Sequence, residues 1–175
     1  MIVQQTMSLP LFHMIEGAPD PVAPFSHAVE VDGWVFVTGQ MPFSGTSNAS
    51  PYPEGIEAQT RQVLENLKRV LQGCGLGLEH VVAARVFLAH FDEDYARMNA
   101  VYATYFTPGK RPARTCVGVT ALARGARVEI DFIARRAGRS GEAARRAGRA
   151  SPRDVRSRRR APAGGRSRRR GRSRR

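Results

Sequence analysis

Three residues near the end of the apolar part of this chain could do chemistry together. Arg114 and Cys116 stand in "RPARTCVGVT" (111–120), and Glu129 stands in "ARVEIDFIA" (126–134). An arginine keeps its charge at any accessible pH, so one at the head of a half-apolar strand needs an anionic partner. One partner is a carboxylate of the same chain, which would make the arginine half of a structural ion pair. The other is a ligand. In that case the guanidinium grips a substrate carboxylate in bidentate fashion, and Glu129 moves protons for a nearby water. Cys116 admits two readings as well. Beside a guanidinium its thiol pKa can fall far enough for nucleophilic attack, and without that role it is a small buried residue. Residue types alone leave these readings open.

The elements that must position these residues follow from periodicity. "FSHAVEVDGWVFVTGQM" reads as two strands joined by a tight turn at Asp32-Gly33. Alternation sends Trp34, Phe36 and Thr38 one way and Val35, Val37 and Gly39 the other. From about Pro53 to Gly73, Ile56, Val63, Leu64, Leu67, Val70 and Leu71 make one apolar stripe of a helix. "HVVAARVFLAHF" is a strand buried on at least one face. Asp92 suits the cap of a second helix, with Glu93 and Asp94 in its first turn and Tyr95, Met98, Tyr102, Tyr105 and Phe106 along it. "ARTCVGVT" and "ARVEIDFIA" are two further strands separated by "ALARG". The order is ββ-α-β-α-ββ, an α+β fold with two helices packed on one face of a mostly antiparallel sheet. Its other face carries too many apolar residues to be simply wet, so an oligomer is expected. If Ala121–Arg124 closes a hairpin between the last two strands, Cys116 pairs with Glu129, and Arg114, Cys116 and Glu129 share a face. A loop one residue longer or shorter would put Glu129 on the opposite side.

Charge divides the chain. The formal net charge is +13, but 18 of the 28 Lys and Arg residues and only two of the 15 acids fall from Arg135 onward, a net of +16. Residues 1–134 therefore carry −3, and the basicity belongs to the tail, 136–175, alone. That tail has Gly, Ser and Pro but almost no large apolar residue, the composition of a disordered segment. Its "RSRRR" repeats suit RNA or another polyanion. An unselected extension read from G+C-rich codons would look the same. Residues 1–17 read as an N-terminal extension and 18–135 as the domain. The first residues lack the basic start and apolar core of a secretory signal, and the two cysteines have no CxxC spacing. A cytoplasmic protein with no membrane partner is expected. His13, His27, His80 and His90 show no ligand spacing for a metal. "GCGLG" (73–77) follows a helix instead of opening one, so it reads as a helix end and not as a phosphate loop.

The words "APFSHAV", "VFVTGQMP", "QTRQVLENLKRVL", "VVAARVFLAHFDEDYARMNAVYATYF" and "RPARTCVGVTALARGARVEIDFIA" together span about Ala18 to Arg135. Over that length the chain resembles the RidA (YjgF-like) reactive-intermediate deaminases. The resemblance implies a chorismate-mutase-like fold and a homotrimer with sites in the clefts between subunits. It also implies hydrolysis of 2-imino acids or their enamine tautomers, products of pyridoxal-phosphate-dependent dehydratases, to 2-keto acids and ammonia without metal or organic cofactor. By the same resemblance Arg114 clamps the substrate carboxylate, Glu129 positions and activates water, Cys116 lies beside the ligand, and Gly39 lets main chain approach it. Phe25 stands where several members have a tyrosine, so it keeps an apolar wall and lacks a hydroxyl. Two other roles remain compatible with the sequence: a non-catalytic small-ligand regulator on the same scaffold, and an RNA-directed translation inhibitor acting through the tail.

Overall fold

A computed structural model describes residues 9–137; most of the arginine-rich tail, 138–175, and its expected binding role lie outside the described residues. The elements are β1 Leu11–His13, β2 Ala28–Val31, β3 Trp34–Gln40, α1 Ile56–Gly73, β4 Val81–Leu88, α2 Phe91–Ala103, β5 Ala113–Gly118 and β6 Val128–Arg135. The α+β class and the two helices on one face of a mostly antiparallel sheet are as expected. β1 is an addition. Leu11–His13, inside the supposed extension, pairs antiparallel with β2 and forms one edge of the sheet.

The β2–β3 hairpin turns at Asp32 (φ 49°) and Gly33 (φ 76°), the left-handed pair that a two-residue turn requires. The whole apolar stripe of α1 is buried, and it packs with Val35 and Val37 of β3, Val86 and Leu88 of β4 and Ile130 and Phe132 of β6. α2 begins at Phe91, one residue ahead of the expected cap. No side chain caps it, and Asp92, Glu93 and Asp94 all lie in its first turn, where carboxylates suit the helix dipole.

The strand order is β1-β2-β3-β6-β4-β5, and it overturns the hairpin expected between β5 and β6. β4 lies between them, antiparallel to β6 and parallel to β5. The reason is the helix: α2 carries the chain back across the sheet, so β5 must run parallel to β4. Residues 119–127 then cross the end of β4 over two strand spacings, roughly 10 Å. The backbone N–H of Ala89 donates to the Arg127 carbonyl there, and that of Val119 donates to Leu88.

The face away from the helices is open and mixes exposed apolar side chains with Glu129 and the Arg85–Asp131 ion pair. Trp34, Phe36 and Val117 are 40%, 45% and 40% exposed on it, beside Phe87 and Ile133. Among the described residues, no helix is long and apolar enough to cross a membrane.

Candidate active site

The register fixes where the three chemical residues point. Arg114 is level with Ala84 of β4, which is level with the core residue Phe132 of β6. Arg114 therefore faces the helices, and so does Cys116, level with Val86 and Ile130. Glu129 is level with Phe87, which is level with Val117, so it faces the open side. Within one chain Arg114 and Glu129 lie on opposite faces of the sheet, and the shared face expected from a hairpin is corrected.

On the helix side, the Arg114 guanidinium lies 4.7 Å from the ring centroid of Tyr102 in α2, a cation–π contact. Among the described residues it has no hydrogen bond and no carboxylate partner. Burial pushes the Tyr102 phenol up to about 12, against the opposing pull of Arg114, and its hydroxyl is buried with no partner among the described residues. A cavity of about 510 Å³ opens here, lined by Tyr95, Asn99, Tyr102, Arg111 and Arg114. Cys116 packs against the core, and burial raises its thiol pKa while Arg114 draws it back only in part. That direction disfavours the thiolate a nucleophilic cysteine needs.

On the open side, a β-bulge between Val37 and Gln40 resets the alternation of β3. Gln40 pairs with Ile130 on the core side, so Gly39 turns to the face of Glu129 instead of lying with Val35 and Val37. The contact is tight: a Cβ on Gly39 would come within 2.1 Å of Glu129 Oε1. Only glycine leaves that carboxylate its place. Burial, and then the charge of Asp131, raise the pKa of Glu129. Glu129 makes no hydrogen bond or ion pair among the described residues, whereas Asp131 accepts from Arg85 Nε at 2.9–3.0 Å. Phe25, half-buried, and Gly39 line a small cavity of about 20 Å³ together with Met41 and Phe43, room for about one water. Buried Asn66 of α1 fixes that wall, donating to the Met41 and Phe43 carbonyls at 2.9 and 3.0 Å. Tyr52 stands edge-on to Phe43, its hydroxyl buried without a partner, and its pKa is raised by burial and by Glu129 against the pull of Arg124.

The histidines are accounted for structurally where they are buried. His27 accepts from the Ile15 N–H at 2.8 Å and meets the Pro19 carbonyl at 2.9 Å. Sequence reasoning missed the wall around Arg114. Tyr95, Asn99 and Tyr102 fall at i, i+4 and i+7 on α2, a spacing that puts them on one side of the helix.

A family profile described as Endoribonuclease L-PSP matches residues 15–136. The chain belongs to this family, the RidA (YjgF-like) proteins. It is 38% identical over 117 residues to a mouse protein named 2-iminobutanoate/2-iminopropanoate deaminase, which covers 67% of this chain and 84% of the mouse protein. A RutC family protein of Synechocystis is 40% identical over 117 residues, 67% of this chain and 89% of the relative. Among solved structures, Escherichia coli TdcF with bound serine superposes with a TM-score of 0.63 at 30% identity, over 71% of this chain and 98% of that one.

Proposed function

We propose that this RidA-family protein hydrolyses 2-imino acids to 2-keto acids and ammonia, in sites assembled between copies of the chain. One observation carries the proposal: Arg114 and Glu129 are each unpartnered among the described residues, and they sit on opposite faces of one sheet. A structural ion pair would join them. A site divided between neighbouring copies would leave each waiting, and the exposed apolar side chains of the open face around Glu129 supply the surface on which another copy docks. The name of the mouse relative and the serine held by TdcF support a small ligand of amino-acid type.

The reaction needs few parts. The carbon of a protonated imine is already electrophilic. Arg114 of one subunit holds the substrate carboxylate, which fixes the imine carbon in place. Glu129 of the neighbour, as carboxylate, takes a proton from water while the water oxygen bonds to that carbon and the C=N π pair moves to nitrogen. The same carboxyl group then protonates the amine. The C–N bond breaks as the hydroxyl oxygen releases its proton, giving keto acid and ammonium. A desolvated glutamate with a raised pKa suits both halves of this cycle. Cys116 serves as a wall of the Arg114 half, and Gly39 and Phe25 as walls of the Glu129 half.

A homotrimeric ring is the assembly proposed, and it gives a direct test. Arg114→Ala and Glu129→Ala are each expected to lose imine hydrolysis, measured with an amino-acid oxidase generating the imine. Subunit exchange between the two inactive proteins should restore about one quarter of the wild-type rate, because one in four heterologous contacts joins an intact arginine to an intact glutamate. No recovery in verified mixed oligomers would place both residues in one chain's site and overturn the arrangement. No acceleration by the wild type over a panel of amino acids would overturn the activity.

A further inference from the structure

The cavity beside Arg114 holds more hydrogen-bond donors than a simple imino acid can use. Arg111 and Arg114 both line it, with the phenols of Tyr95 and Tyr102 and the amide of Asn99. None of these side chains has a hydrogen-bond or ion-pair partner among the described residues, and the Tyr102 hydroxyl is buried as well. No carboxylate lines the cavity. The nearest acids in α2 are spoken for: Arg127 donates to Asp94 from Nε and Nη2 at 2.9 Å and to Glu93 at 2.9 Å. The result is a cationic, donor-rich hollow in a body whose net charge is −3.

One carboxylate occupies the fork of one guanidinium and leaves little for other donors to do. A substrate such as 2-iminobutanoate would satisfy Arg114 and put an ethyl group into a hollow that contains a second guanidinium and two phenols. An ethyl group offers those donors neither acceptor nor counter-charge, so they add nothing to its binding. A second carboxylate on the substrate side chain reverses that balance. The volume of about 510 Å³ also leaves room for the longer molecule.

We propose that the Arg114 cavity selects 2-imino acids bearing a second carboxylate, with Arg111 as the residue that receives it. This rests on the deaminase reading above and names the substrate class of the same site. The reactions that supply the substrate would be oxidations of acidic amino acids to their imines, and the product would be a 2-oxo dicarboxylate. Arg111 is a specificity residue: it sets which side chain is accepted and takes no part in proton transfer.

The test separates binding from turnover. Calorimetry or NMR titration of the oligomer with 2-oxoglutarate and with 2-oxobutanoate needs no chemistry. The dicarboxylate should bind about ten- to hundredfold more tightly, the value of one charge-assisted contact. Arg111→Met should erase that preference by loss of dicarboxylate affinity, with 2-oxobutanoate binding no weaker than in the wild type. Turnover of the imines made from L-glutamate and from L-leucine should show the same ranking in kcat/KM, with the same collapse in Arg111→Met. Equal or better binding of 2-oxobutanoate by the wild type overturns the inference, as does a preference that survives Arg111→Met. Turnover of the leucine imine alone would leave the deaminase reading standing and sink the specificity. Dicarboxylate binding without any turnover would do the reverse.

Discussion

Arg127 and Arg114 meet opposite ends of α2, at Asp94 and at Tyr102, and stand in opposite situations. Arg127, just before β6, is fully engaged. It holds the buried Asp94 through two 2.9 Å bonds, reaches Glu93, and its backbone N–H donates to Gln59 of α1 at 2.9 Å. It ties the start of β6 to both helices. Arg114 stacks on Tyr102 and meets no carboxylate among the described residues. Arg127 has its counter-charge built into the fold, and Arg114 has none among the described residues, which is the difference the proposed ligand role of Arg114 rests on. Two arginines identical in type are thus told apart by their surroundings alone.

The largest effects should separate the two arginines completely. Arg127→Ala strands Asp94 in the core and should cost on the order of 3–5 kcal/mol in chemical denaturation, with activity per folded molecule retained. Arg114→Ala should lower imine turnover by about 10²–10³-fold and leave stability within about 0.5 kcal/mol. Comparable instability in both variants would erase the distinction. Next in size is Gly39→Ala. Its methyl group displaces the Glu129 carboxylate, so turnover should fall on the order of 10²-fold while 2-oxo acid binding at Arg114 persists.

The pH dependence sharpens the contrast further. Glu129 must be ionised to accept a proton from water, and burial and Asp131 hold its pKa up. Activity should therefore fall with acid at a higher pH than an ordinary carboxylate would give. Asp131→Asn should move that limb to lower pH. A folded pKa above the unfolded one means the native state binds the proton more tightly. Its contribution is thus fully present below the unfolded pKa and lost as pH rises through the folded value. Glu129→Gln should therefore stabilise the protein at neutral pH and bring no gain in acid, checked by thermal melts across pH. The smallest effect belongs to Cys116→Ala, expected to keep turnover within about threefold and to cost about 1 kcal/mol of stability. Loss of activity there would restore the nucleophilic reading.

What could be read from the sequence divides along physical lines. The α1 stripe and the Asp32-Gly33 turn are local patterns, and both appear where periodicity puts them. Arg114, Cys116 and Glu129 stood out by type, and the first and last have no hydrogen-bond or ion-pair partner among the described residues. Their relation did not stand out, because a strand inserted between two others leaves no mark in the link that joins them. The better signal was α2, whose length already demanded a parallel β4 and β5. The bulge that turns Gly39 toward Glu129 is likewise invisible to strict alternation. Tyr95 and Tyr102 were on view along the second helix, but Asn99 was not singled out, and their i, i+4, i+7 spacing was not connected to Arg114.

The strand order carries a consequence for how the molecule is made. Among the described strands β6 is the last in sequence, yet it occupies the middle of the sheet, with β3 on one side and β4 on the other. Until it emerges from the ribosome, β1-β2-β3 and β4-β5 are two fragments with raw hydrogen-bonding edges and no strand between them to pair with both. Sheet closure must wait for the final strand, and it links segments nearly a hundred residues apart, β3 to β6. Such distant pairing makes folding slow and late. The segment that carries Glu129 is also the keystone of the sheet, so a nascent chain acquires its fold and places that carboxylate beside Gly39 in the same event.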